Sequence, residues 1–229
     1  MNKFITYTLL LLTYLALSKS LSPNEFGIKY VNSDNDLAGL IPGSPVSVIL
    51  IDIHSTGFLI KTYYHKYKIV YGFQSYEEII TRTSSNYTKK MKPYLGMSIF
   101  RRYKKLNKES FLPLPPGSIF IGDYSFGNWV KLNSNTKIWK FFRVYRQIPN
   151  YLGWKDFRPT FKVFSEINKS LDLNKPFYGS NDEFGINGLI TQKSFPKYFE
   201  RQTPQQGSLK DFFKTYFKEN FIQQGLKNE

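Results

Sequence analysis

The sequence predicts an α+β protein with a mainly antiparallel sheet of about six strands and two or three helices, one of them an amphipathic C-terminal helix. Three observations carry this prediction. Runs of β-branched and aromatic residues recur at short spacing, separated by Gly, Pro, Asn and Ser. Helical apolar spacing is confined to a few segments. The 229 residues include no cysteine, while 41% are apolar and 18% aromatic, so the fold must rest on a packed core. The absence of cysteine also excludes disulfide scaffolds, thiolate-held zinc or iron–sulfur centres, and thiol nucleophiles.

The chain opens with Met1-Asn2-Lys3, an apolar run from Phe4 to Leu17, and Ser18-Lys19-Ser20. A short basic start, a 14-residue apolar stretch and a small-residue exit form the layout of a secretory leader. That stretch is short for the ~20 residues a bilayer span needs. Residues 1–20 are therefore expected to be a cleaved signal peptide, leaving residues 21–229 as a single domain without a transmembrane span. Cleavage would remove Lys3 and Lys19 and no acid, lowering the net charge of +15 by two. A cysteine-free exported chain fits a bacterial periplasm or the cell exterior.

Residues 21–45 are rich in Pro, Asn, Asp, Gly and Ser and predict an extended opening segment. Residues 46–53 (VSVILIDI), 58–64 and 67–71 predict three strands of a meander. Ser75-Tyr76-Glu77-Glu78 has capping-box spacing and predicts a helix to about Lys90, before Pro93. The Pro-rich residues 107–118 are a loop or a subdomain break. Strands are predicted over 118–121, 129–132 and 137–145, the last two joined by an Asn133-Ser134-Asn135 turn. Residues 160–173 and 208–224 have helical apolar spacing, and in the second Lys210, Lys214 and Lys218 mark the opposite face. No internal repeat is present.

The basic excess is clustered. Nine Lys/Arg and no acid lie between Arg82 and Lys108, and six more with no acid lie between Tyr124 and Lys155. Both stretches are interleaved with aromatic residues. A positive surface of this kind concentrates anions and is weakened by salt. For an exported chain the available anions are peptidoglycan, lipopolysaccharide and phospholipid headgroups, and nucleic acid is disfavoured. Arg101, Arg102, Lys104, Arg143 and Arg146 are the expected cationic contacts, with Tyr124, Trp129 and Trp154 stacking. The expected function is binding of an anionic cell-envelope component, without enzymatic turnover. One alternative is a cell-wall glycan hydrolase. Another is an interaction or inhibitor protein that meets an acidic partner.

Signals for chemistry are sparse. Asp52 and His54, two apart in a strand, share a face and would supply two metal ligands or an oriented base, but no third ligand is recognisable. A glycan hydrolase needs two carboxylates about 5–10 Å apart. Asp123, Asp156, Asp182 and Glu183 are the loop acids available for that role. Gly117, Gly122 and Gly127 recur every five residues, but Asp123 follows the second and would repel phosphate, so a phosphate-binding loop is excluded. These glycines predict tight turns instead. No G-x-S-x-G elbow is present, and no cofactor is expected.

Overall fold

A computed structural model describes residues 3–20, 27–57, 61–72, 75–104 and 108–202. The chain divides into a unit of Met1–Phe195 and a second of Pro196–Glu229. The Pro-rich residues near 107–118 lie inside the first unit.

The architecture is α+β, with a five-stranded antiparallel sheet and a separate two-stranded hairpin. Helix α1 spans Lys3–Ser20. Its Phe4, Tyr7 and Leu9 to Leu12 are exposed. Among the described residues no helix is long and apolar enough to cross a membrane. Helix α2 (Asp34–Leu40) is capped by Ser33, whose Oγ accepts from the Asp36 amide.

Strand β1 (Val46–Thr56) follows, and its run of Val and Ile is buried through Ile51. Strand β2 (Thr62–Tyr71) pairs with it along its whole length, so the two short strands expected over 58–64 and 67–71 are one from Thr62 onward, residues 58–60 lying outside the described residues. Strand β3 (Ser75–Thr83) pairs with β2 from Ser75 to Thr83. The helix expected from Ser75 is therefore a strand over its first half. Cross-strand chemistry overrides the capping spacing: Glu78 meets Lys66 at 2.6 Å and Lys68 at 3.6 Å, and Tyr71 donates to Glu77 at 2.7 Å. The helix begins later, as α3 (Ser85–Met91), capped by Ser84.

Strand β4 (Ser98–Arg102) lies on the other side of β1, and β5 (Glu109–Ser110) pairs with β4, giving the order β3-β2-β1-β4-β5. At the far end of β3, Val31 donates to Arg82 and Arg82 to Lys29, both at 2.9 Å, so the opening segment clips that sheet edge.

Both faces of the sheet are covered. Side-chain alternation places Ile49 and Ile51 on one face and Val48, Leu50, Tyr67 and Ile69 on the other, all buried. The first face joins a core with Phe120, Trp139, Leu152, Trp154 and Ile167. Buried Leu37 of α2 and Tyr87 and Met91 of α3 belong to the helices flanking the sheet.

Residues 118–121, expected as a strand, are buried but run as turns, with Phe120 donating to Gly117 at 2.8 Å. Their hydrophobicity serves the core and not a ladder. Gly117 and Gly122 take φ of 76° and 85°, as tight turns require.

Strands β6 (Gly127–Lys131) and β7 (Lys137–Phe141) form the hairpin. Helix α4 (Ile148–Tyr151), α5 (Phe161–Leu173, capped by Thr160) and α6 (Leu189–Ser194) complete this unit. The second unit begins with α7 (Pro196–Gln202), and the helix expected over 208–224 lies outside the described residues. The described residues thus hold more helices than the two or three expected, because helices of four to seven residues leave no readable period.

Gly127 is held at the open end of the hairpin, opposite Phe141. A Cβ there would stand 2.3 Å from the Lys140 carbonyl oxygen, which is backbone and cannot swing away. Gly127→Ala is expected to cost about 2–3 kcal/mol. Gly39→Ala, at a site with open space around it, is expected to be neutral or slightly stabilising. Urea unfolding followed by tryptophan fluorescence distinguishes the two.

Candidate anion-binding groove

The hairpin carries two faces. Trp129 sits opposite Trp139, and Lys131 opposite Lys137, on one side. The Trp129 and Trp139 rings meet edge-to-face at 5.1 Å, and Trp139 is buried. Val130 sits opposite Ile138 on the other side, with Lys140 and Leu132 following by alternation.

After β7 the chain makes a 3-10 turn (Arg143–Tyr145), passes through α4, and reverses at Gly153, whose φ is 71°. It then returns alongside β7. Trp139 donates its amide to Pro159 at 2.8 Å, and Ile138 bridges Thr160. Trp154 is fixed between these segments, its indole N–H donating to the Pro116 carbonyl at 2.8 Å.

A groove of about 510 Å³ lies between the hairpin and residues 146–159. Its floor is aromatic: Phe141 meets Trp154 at 5.6 Å, and Trp154 meets Phe157 at 5.6 Å. Its rim carries Lys131, Lys140, Arg146, Lys155 and Arg158, and no carboxylate lines it. Arg158 donates to the carbonyls of Lys155 and Phe157. All five cations are exposed. Such a site attracts an anion by charge, and half-buried Phe141 is the ring of its floor left partly open. Trp154 and Phe157 are 2% and 7% exposed, so the stacking expected of Trp154 is corrected.

The expected contacts divide four ways. Arg146 and Trp154 line the groove, while Trp129 and Tyr124 touch Trp139 from beside it. Arg143 is exposed on the 3-10 turn. The β4 group lies elsewhere, and the expectation for it is corrected in part. Arg101 is 0% exposed, donating to the Ser98 carbonyl, Ser110 Oγ and the Leu112 carbonyl, so it braces the sheet from inside. Arg102 is tied to Glu109 at 2.7 Å and to the carbonyls of Ala38, Ile41 and Gly43. Lys104 is exposed just beyond β4. Lys131, Lys140, Lys155 and Arg158 are rim cations absent from the expected contacts, although Lys131, Lys140 and Lys155 belong to the acid-free stretch that points to this region.

The loop acids are used separately. Asp123 accepts from the Ser125 amide at 2.9 Å, closing its own turn. Asp156 is almost fully exposed, 3.8 Å from Lys193. Glu183 accepts from the backbone and side chain of Asn181. Asp182 takes φ of 53° in the same loop. Asp52 lies 3.5 Å from His54 Nδ1, and the His54 ring stacks on Tyr64 at 5.2 Å. Among the described residues no group of three His, Cys, Asp or Glu is placed to hold a metal ion.

The second histidine sits behind the sheet. His65 is fully buried between Tyr67 OH at 2.9 Å and Thr88 Oγ1 at 3.1 Å, with the Tyr87 ring stacked on it. Burial, helped by repulsion from His54, pushes its pKa from 6.5 down to about 4. An unfolded chain takes up this proton near pH 6.5, the folded chain only near pH 4. Between those values the unfolded state binds more protons, so stability present above pH 6.5 is lost as pH falls. The loss reaches about 3 kcal/mol at the acid end of that window. Unfolding free energies measured across it should fall more steeply for the native chain than for His65→Gln. Parallel slopes would show that His65 does not carry the effect.

No protein-family profile, curated protein or solved structure matches this chain.

Proposed function

We propose that this chain is an exported binding protein that holds an anionic cell-envelope component in the groove beside the β6–β7 hairpin. The observation that carries the proposal is the lining: five cations, no carboxylate and an aromatic floor. The leader-like residues 1–20 direct the choice of ligand toward envelope anions. Cations on the rim raise the local concentration of a negatively charged chain or headgroup, and the half-buried Phe141 ring gives it an apolar contact.

Titration of the purified chain with dextran sulfate, a soluble polyanion, read by tryptophan fluorescence, tests this. Affinity is expected to fall tenfold or more between about 50 and about 500 mM NaCl, because exposed charges are screened. No binding, or binding indifferent to salt, would overturn the proposal.

A further inference from the structure

We infer that the ligand surface is an anionic lipid bilayer, met by the groove rim and by aliphatic side chains of the hairpin that reach past the headgroups. This rests on the function proposed above and narrows it to one ligand class. The deciding observation is apolar exposure next to the cations. Leu132 is 65% exposed and Val130 36%, while exposed Phe142 and Val144 flank Arg143 at the 3-10 turn and do not line the groove. Val130 and Leu132 also line the groove, beside Lys131 and Lys140.

A soluble polymer gives such side chains nothing to enter. A bilayer gives them the boundary between headgroups and acyl chains, while cations at the same level pair with lipid phosphates. Alternation supports the arrangement, since Val130, Leu132, Ile138 and Lys140 share the face of the hairpin turned away from the buried Trp139. A second copy of this chain is a poor occupant, because the same patch would set lysines and arginines against their like.

The sequence holds no cysteine, so one introduced thiol is a unique labelling site. The full chain carrying Leu132→Cys is labelled with an environment-sensitive fluorophore and mixed with vesicles of phosphatidylcholine, alone or with about a third phosphatidylglycerol. A second chain carries Asn86→Cys, an exposed position on α3 that does not line the groove. The label at position 132 is expected to shift blue and brighten severalfold with the anionic vesicles only. The label at position 86 is expected to stay unchanged, which removes any binding through α1 from the comparison. Vesicle binding, by sedimentation, with a silent label at 132 would overturn the inference. So would equal responses to both vesicle types. A chain that ignores vesicles but binds dextran sulfate with salt dependence would end this inference and leave the proposed function standing. A chain that binds neither would end both.

Discussion

Arg101→Ala is expected to cost about 3–5 kcal/mol, enough to unfold much of the population of a domain of ordinary stability. The guanidinium is wholly inside, and burial lowers its pKa by disfavouring the charged form. It is held by three acceptors: the Ser98 carbonyl at 2.9 Å, Ser110 Oγ at 2.9 Å and the Leu112 carbonyl. Those contacts tie β4 to β5 and to the chain that follows. Truncation leaves a hole and strips a donor from Ser110 Oγ and from the Leu112 carbonyl, at about 1–3 kcal/mol each, while the Ser98 carbonyl keeps the Leu114 amide at 3.1 Å. Arg101→Met fills the hole and removes a costly buried charge, so it should recover part of the loss. Arg101→Lys should not recover all of it, since one ammonium cannot reproduce a planar fork. Equilibrium unfolding in guanidinium chloride ranks the three. An Ala variant within about 1 kcal/mol of the native chain would mean the buried charge braces nothing.

The double variant Lys140→Glu with Arg146→Glu is expected to weaken binding to dextran sulfate, and to phosphatidylglycerol vesicles, about a hundredfold at low salt. Each cation near an anionic surface contributes about 1 kcal/mol, and reversal replaces that attraction with repulsion. Both side chains line the groove and are exposed, so stability should change little. The control is Lys169→Glu with Lys175→Glu, exposed lysines outside the groove. It changes net charge equally, and its affinity should stay within about threefold. Equal losses in the two doubles would mean that binding follows overall charge and that the groove has no special part.

Much of the framework was legible from residue chemistry. The run from Val46 to Ile53 reads as a strand because β-branched residues flanked by turn formers have few other uses. Thr160 announces α5, and its Oγ1 accepts from the Val163 amide. The Asn133-Ser134-Asn135 turn was visible too, and Asn133 accepts from the Asn135 amide. The failures share one physical cause, that partners distant in sequence outweigh local preference. Ser75 and Glu78 have the spacing of a cap, yet Lys66 and Lys68 of β2 claim the carboxylate. Residues 118–121 are as apolar as a strand but pack without a ladder partner. Arg101 and Arg102 looked like surface charge, and only the sheet shows one inside and the other bound to Glu109.

The groove was half legible for the same reason. The acid-free basic stretch from Tyr124 to Lys155 marks the region. Arg146 lines the groove as an exposed cation, whereas Trp154 is 2% exposed and supports the floor from the core instead of stacking on a ligand. What joins them to Lys140 is the return of residues 154–160 along β7, set by the Trp139–Pro159 bond and the Ile138–Thr160 bridge. Neither contact leaves a motif in the sequence.

The clip of residues 29–31 over Arg82 bears on how the molecule survives at high concentration. Strand β3 is the outermost of its sheet, and an open rim of that kind invites a strand from a neighbouring molecule. Here the last positions are already taken by the chain's own N-terminal part, and Glu77 and Glu78 stand along the middle of the remainder. Intermolecular zippering would have to evict one and bury the other, so the sheet resists growing into a fibril.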